Sequence, residues 1–305
     1  MVDCLHERTL YRSQTITVTD VRCRPHDDRR GGEEHTSTND IVFPRSGLFI
    51  QHVRGERVVA DPNRVLFFRS GESYRVSHPL RGGDDCTVLS YAPDVLADAF
   101  AETDPAVRDR PDDPFSRRHC PSSARACLAH QTLRRRAERG RSEAIELDDL
   151  ALGLLDVVAE SARDDRPVNP RRTRWDTLRT HRAHVEAAKV VLTERFAEPL
   201  ALARIAAAVH CSPFHLARVF RHIVGVPIHR YLIRLRLRAS LERLASVDEP
   251  GGAAWDLTGL ALDLGYSSHS HFTDSFVREF GLTPSAFRNG LTRSRLREMS
   301  KIPKA

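Results

Sequence analysis

Between Ser212 and Gly225 the chain interleaves Phe214, His215, Ala217, Arg218 and Arg221 with Leu216, Val219, Phe220 and Ile223. The second set recurs at the spacing of one helix face and is the face to bury; the first set falls opposite it. A guanidinium presented there, above all Arg218, has three possible uses. It can bond guanine O6 and N7 together, worth about 1–3 kcal/mol of discrimination; it can neutralise a phosphate; or it can stay a solvated surface group. Phe214 can touch a thymine methyl or pack on its neighbours. Further along, His269, Ser270, Thr273, Asp274 and Arg278 face away from Phe272, Phe276 and Phe280 in the same manner. A carboxylate at Asp274 is repelled by phosphates but can accept from cytosine N4, so fewer base contacts and more positioning are expected of this second segment.

Positioning those side chains requires the two segments to be copies of one unit. Leu216 and Phe272, Phe220 and Phe276, Gly225 and Gly281, and Tyr231 and Phe287 are each 56 residues apart, while Ala206 and Ala261 are 55 apart, leaving one extra residue in the second turn. Each copy reads as a short helix with a small residue at a crossing point (Ala206, Ala261), a tight turn, a serine N-cap, a second helix and a glycine stop at Gly225 or Gly281. Pro213 opens the first of the second helices, where a missing N–H costs nothing. Thr283, Pro284 and Ser285 repeat the opening once more before Phe287 and Arg288. Ser212, Ser267, Ser268, Thr283, Arg236 and Arg288 are candidate phosphate contacts, through exposed helix-opening N–H groups and guanidinium charge. For Arg236 and Arg288 a structural pairing is an equal alternative. Between the units, Ile228 to Ser246 reads as a 19-residue amphipathic helix. At about 1.5 Å per residue it approaches the roughly 34 Å between successive major-groove faces of B-DNA.

Charge follows the same division. Of the 305 residues, those from Arg171 onward hold 22 Lys and Arg against 12 Asp and Glu, a net +10, leaving −4 for the remainder. A basic half of this kind suits a phosphate-binding surface, although basic domains also bind membranes and acidic proteins. The Arg134-Arg135-Arg136 cluster lies outside the repeat and is expected to be solvated helix surface.

The N-terminal part has a different texture. Short β-branched and aromatic runs, TITVTDVRC, DIVFPR, GLFIQHV, ERVVA, RVLFF and CTVLSY, are separated by turn signals such as Arg54-Gly55 and Gly82-Gly83, a pattern for a sandwich or barrel. Helices are expected at about 122–139 and 143–161. The second has an apolar face of Ile145, Leu147, Leu150, Leu154, Leu155 and Val158 that would close the β domain or pair with a second subunit. Charge and two prolines between Ala162 and Arg174 mark a linker. The fold class is therefore α+β: a β-barrel or sandwich with flanking helices, then an all-α domain of two helix-turn-helix units joined by a long helix. The expected divisions are 1–100 (β domain), 101–161 (helical extension with a dimerisation role), 162–180 (linker), 181–290 (repeat domain) and 291–305 (basic tail).

On these residues, positions of about 181 to 290 resemble the DNA-binding domain of the AraC/XylS family of transcriptional regulators. The densest match is GYSSHSHFTDSFVREFGLTPSAFR, supported by CSPFHLARVFRHIVGVPIHRYL and by Arg236 on the linking helix. The resemblance implies two recognition helices acting on double-stranded promoter DNA, with Phe214, Ala217 and Arg218 at base-facing positions. It also implies contact with RNA polymerase, usual activation of transcription, and frequent homodimerisation through an N-terminal sensor domain. The segment RSGLFIQHVRGERVVADPNRVLFFRSGESYRVSHP is similar to the cupin-like sensor domains of such regulators. An unknown small-molecule effector would bind there, in a pocket lined by Phe49, Val53, Phe67, Tyr74 and Cys86.

Other classes find no support. No GxSxG, HExxH or phosphate-binding GxxxxGK[ST] motif is present, so no catalytic group and no cofactor is expected. The six cysteines show no CxxC pair, and a DNA-repair alkyl acceptor would need a zinc-binding cysteine cluster. His26, His35, His52 and His78 are spread too widely to assume a shared metal. With no apolar run of spanning length and no apolar leader, a cytoplasmic protein without membrane contact is expected.

Overall fold

The computed structural model describes residues 5–25, 31–140, 142–164, 175–245 and 256–289. Strands β1 (Leu5–Arg12), β2 (Ile16–Cys23), β4 (Asp40–Gly47), β7 (Arg64–Phe68), β9 (Asp84–Tyr91) and β10 (His119–Pro121) form one antiparallel sheet in the order β1-β2-β9-β4-β7-β10. A smaller sheet, β3-β8-β5-β6, is built from β3 (Glu34–His35), β5 (Phe49–Val53), β6 (Glu56–Ala60) and β8 (Ser73–Ser77). Strand alternation gives the larger sheet two apolar faces. Val21, Val42, Leu66, Phe68, Cys86 and Val88 meet Phe49, Val58, Ala60, Tyr74 and Val76 of the smaller sheet. Ile16, Val18, Ile41, Phe43, Val65, Phe67, Leu89 and Tyr91 face the other way, onto helices. The Arg54-Gly55 hairpin between β5 and β6 has both residues at positive φ, 48° and 79°, the conformation that a two-residue hairpin turn needs.

Those helices are α1 (Pro93–Thr103), α2 (Ala124–Arg139) and α3 (Ala144–Asp164). Ser123 caps α2 by accepting from Ala126 N, and Gly140 ends it at φ 59°. The apolar face of α3 closes the β domain: Leu147, Leu154, Leu155 and Val158 are buried in the sheet–helix core, while Ile145 is 73% exposed and takes no part. The expected linker is helical at both ends, because α3 continues to Asp164 and α4 (Trp175–Glu194) begins before residue 180. Its middle and the expected basic tail lie outside the described residues. No described helix is long and apolar enough to cross a membrane.

The five residues expected to line a pocket divide between the two faces. Phe49, Tyr74 and Cys86 share the sandwich interior, and Val53 is buried at the end of β5. Phe67 points the opposite way, because Leu66 and Phe68 take the interior positions of β7; its ring stacks on Phe115 at 4.7 Å.

The C-terminal helices are α5 (Leu202–Ala208), α6 (Pro213–Val224), α7 (Ile228–Ala245), α8 (Leu257–Asp263), α9 (His269–Phe280) and α10 (Pro284–Arg288). They pack directly on the β domain. Glu186 of α4 accepts from Val59 N at 2.9 Å, and Lys189 pairs with Glu186 at 2.8 Å. Tyr231 of α7 donates to Asp61, while its carbonyl accepts from Asn63 Nδ2 at 3.1 Å. Further along α7, Glu242 meets Arg45 at 3.2 Å and Arg134 at 3.3 Å, and Arg45 also pairs with buried Asp20. The Arg134-Arg135-Arg136 cluster is therefore not solvated surface. Arg134 and Arg135 are buried, and Arg135 donates to the carbonyls of Phe287 and Arg288 with its guanidinium over the Phe287 ring. Arg136 pairs with Glu146. Sequence texture reads a triple arginine as a wet face, because it cannot see acceptors supplied more than a hundred residues away.

Candidate nucleic-acid interface

Each unit is built as its residue pattern dictates. Ser212 Oγ accepts from His215 N at 3.2 Å, and Ser268 Oγ accepts from His271 N at 3.1 Å, so both recognition helices open on a side-chain cap. Gly225 and Gly281 close them in the left-handed conformation, at φ 82° and 71°. Thr283 Oγ1 caps α10 in the same way, accepting from Ala286 N at 3.2 Å. Three of the four hydroxyls named as phosphate contacts, Ser212, Ser268 and Thr283, thus each accept one bond from their own helix, while Ser267 meets His271 Nδ1 at 3.2 Å. The protons of the three capping hydroxyls stay available to an anion.

Burial divides α6 as the spacing requires. Leu216, Val219 and Phe220 are buried, His215 and Ala217 are half-buried, and Arg218 and Arg221 are exposed. Phe214 is 78% exposed, a large ring held in water at the opening of the helix. On α9, Phe272, Phe276 and Phe280 are buried, Ser270, Asp274 and Arg278 are exposed, and His269 and Thr273 are half-buried and in contact with each other at 3.3 Å. Among the described residues no carboxylate pairs with Arg218 or Arg221. By contrast Arg230 and Arg234 of α7 both reach Glu279 of α9, at 3.5 and 3.1 Å, and serve packing.

Arg236 is resolved in favour of structure. It is buried, and its three donor nitrogens reach the carbonyls of Phe196, Gly265 and Glu198 at 2.7–2.9 Å. Its guanidinium also lies over the Tyr266 ring at 5.7 Å. One side chain thereby ties the loop before α5 to the turn between α8 and α9, and burial keeps it from a phosphate. Gly265 completes the joint: at φ 82° its missing Cβ leaves room for the Ala197 carbonyl. Arg288 is half-buried, with its carbonyl taken by Arg135 and its guanidinium unconstrained by that bond.

Two contributors escaped the sequence reading. His181 and His184 of α4 pack their rings against His215 at centroid distances of 5.0 and 6.0 Å. Slight burial together with the positive neighbours His215, His184, Arg218 and His222 holds the His181 imidazole below its ordinary value. The available signal was the i, i+3 spacing of two histidines on a helix that ends beside the repeat. Cationic or potentially cationic groups therefore gather round the outward side of α6, and among the described residues no carboxylate pairs with its arginines, a field suited to an anion.

The comparisons agree with this geometry. A family described as a helix-turn-helix domain matches residues 205–290. The regulatory protein SoxS of Salmonella typhimurium is 30% identical over 100 residues, covering 33% of this chain and 88% of that protein. The chain belongs to the AraC/XylS family of transcriptional regulators. It shares 28% identity over 97 residues with the Bacillus subtilis bifunctional transcriptional activator/DNA repair enzyme AdaA, covering 32% of this chain and 43% of that protein. With the regulatory protein PocR of Salmonella typhimurium it shares 25% over 108 residues, covering 35% of this chain and 34% of that protein. The match thus spans under half the length of AdaA and about a third of PocR. The helix-turn-helix match of this AraC/XylS chain falls on the part that α5–α6 and α8–α9 build twice over.

Proposed function

We infer that the whole chain is a promoter-binding activator of transcription without catalytic activity, reading double-stranded DNA through α6 and positioning itself with α9. The observation that carries this reading is the outward side of α6. A capped helix presents Arg218, Arg221 and Phe214 uncovered, with the His181 and His184 rings against its own His215 and, among the described residues, no acid paired to its arginines. Base contact is assigned to Phe214, His215, Ala217, Arg218 and Arg221, and to His269, Ser270, Thr273, Asp274 and Arg278. Phosphate contact is assigned to Ser212, Ser268, Thr283 and Arg288. The 18-residue α7 joins the two units: Phe220 of α6 packs on Tyr231, and Glu279 of α9 pairs with Arg230 and Arg234.

The sandwich takes the sensor role, with the effector held among Phe49, Tyr74 and Cys86 between the two sheets. Signal would travel through the direct contacts of α4 and α7 with the β domain. RNA polymerase contact, homodimerisation and a cytoplasmic location accompany the family's way of working. Exposed Ile145 and Leu152 on α3 are the apolar residues left for a second subunit.

The test is genome-wide mapping of bound DNA in the native cell, paired with affinity for a recovered site measured across salt. Discrete promoter peaks and a log affinity falling linearly with log salt are expected. Absence of discrete peaks at confirmed expression, across growth conditions, sinks the promoter reading.

A further inference from the structure

The sequence reading found no converging set of metal ligands, and the fold brings one together. Cys23 ends β2 and Asp84 begins β9, and the two are register partners in the antiparallel ladder, so their side chains leave the sheet on the same face. That face is the sandwich interior, since Val21 on β2 and Cys86 on β9 point into it. The third group comes from the opposite sheet. His78 follows β8 directly, in step with the interior residues Tyr74 and Val76, and its Nε2 lies 2.7 Å from Asp84 Oδ1. Sγ of Cys23, the ring nitrogen of His78 and a carboxylate oxygen of Asp84 all lie within 4.8 Å of one another.

The surroundings hold this triad in place. His78 and Asp84 are nearly closed to solvent, with side-chain exposures of 10% and 5%, while half-buried Cys23 leaves an approach from outside. Gly83, at φ 69°, lets the turn before Asp84 lie against the Cys23 carbonyl, a place where any Cβ would collide. Asp84 is oriented from behind: Cys86 Sγ donates to its second oxygen, Oδ2, at 2.9 Å. Arg24, a neighbouring cation, is engaged by the Asp84 carbonyl and the Asp85 carboxylate.

We propose that Cys23, His78 and Asp84 form a binding site for a borderline divalent d-block cation of the zinc class, which clips the two sheets of the sandwich together. Thiolate, imidazole and carboxylate at one point are the donor mixture that such an ion takes in tetrahedral coordination, with a fourth position left for water. Tetrahedral bond lengths place neighbouring ligand atoms about 3.4–3.6 Å apart. The ion therefore fits once His78 and Asp84 part by under about an ångström and Cys23 Sγ, within 4.8 Å of both, takes up the same spacing. Binding releases the Cys23 thiol proton, and any second proton on His78, to solvent; nothing is oxidised or reduced. Cys86 acts through Asp84 as a positioning residue.

The test uses the full chain, stripped with a chelator and kept reduced by a phosphine, and titrated with Co2+ and then Zn2+ alone. One equivalent of Co2+ should produce a thiolate-to-metal charge-transfer band and tetrahedral ligand-field bands, both erased by one equivalent of Zn2+. Cys23→Ser should abolish the charge-transfer band. Cys23→Ser and His78→Ala should each weaken Zn2+ at least tenfold in competition with a chelating dye. Cys86→Val should keep the band while losing about 10–100-fold in affinity, as removal of a supporting partner does. Cys211→Ser, on a distant helix turn, should change nothing. Metal-free melting curves matching the unaltered chain would show that the variants still fold; because Cys23→Ser changes one atom at a half-exposed position, its spectrum decides the matter even where His78→Ala misfolds. No stoichiometric uptake by the folded chain, or uptake that persists undiminished in Cys23→Ser, would overturn the proposal, the latter by assigning the ion to surface histidines.

Discussion

The two helix-turn-helix units share one frame and differ in what they bury and what they lean on. The first fills its core with aliphatic residues around Phe220 and Tyr231, and rests on the β domain through charge and hydrogen bonds: Glu186, Lys189, Asp61 and Asn63. The second fills its core with rings, Phe272, Phe276, Phe280 and Phe287, and shares that core with Cys127 and Leu128 of α2. Outward the order reverses. The first unit shows two arginines, imidazoles and a bare phenylalanine, the second hydroxyls, imidazoles, a carboxylate and one arginine, Arg278. The two copies share one geometry, and on the function proposed above the first is turned toward DNA while the second shares its core with α2.

The largest effects should come from the two cores. Phe220→Ala and Phe276→Ala each remove a fully buried ring and should cost about 3–5 kcal/mol of stability. Hydrogen exchange separates them. Phe220→Ala should deprotect α5 and α6 while leaving α2 protected, whereas Phe276→Ala should loosen α8, α9 and also α2. Equal deprotection everywhere in both variants would mean that the units are one cooperative body, and the contrast drawn above would fail.

How much of this was readable beforehand follows the range of the interactions. The caps, the glycine stops and the alternating faces of α6 and α9 rest on contacts three or four residues apart, so spacing alone located them. Strands with one buried face were equally plain. β1 was missed because it is an edge strand whose residues are mostly exposed and show no apolar alternation. Arg236 and Arg135 were left open or misjudged because their acceptors are carbonyls distant in sequence, and Arg134 because its burial depends on Glu242, 108 residues away, beside nearby Gln131 and Glu138. The Cys23, His78 and Asp84 cluster was invisible for the same reason: no two of its members share the short spacing of a familiar metal motif.

A second prediction sharpens the difference in docking. Burial, with Arg64 adding to it, brings the Lys189 ammonium down to about 8 from 10.5, although Glu186 and Asp61 oppose the shift. From pH 8 upward the native chain has released a proton that the unfolded chain keeps, so this group makes unfolding harder as pH rises. The buried Tyr231 hydroxyl, held well above 10 by burial and by Asp61, acts in the opposite sense only at higher pH. Between pH 8 and 10 the unaltered chain should therefore gain on Lys189→Met by at most about 3 kcal/mol in denaturant unfolding. The second unit's docking on α2 holds no such lysine. A difference between the two proteins that stays flat across the window would remove the ionic character assigned to the first unit's interface.

The smallest effects should lie in the outward faces. Arg218→Ala should lower affinity for a recovered operator by about 1–3 kcal/mol, and should relax base preference at one position if the guanidinium reads guanine. If it holds a phosphate instead, affinity should fall equally for operator and scrambled duplex, and the salt slope should drop by about one. Asp274→Ala removes a charge that phosphates repel and leaves exposed Arg278 on the same helix unopposed by it. It should tighten binding to both duplexes by less than about tenfold and most visibly at low salt, where the repulsion is least screened. A selective loss of operator binding in Asp274→Ala would instead make the carboxylate an acceptor for cytosine. The second unit would then read sequence as the first does, and the contrast between the units would rest on the buried side alone.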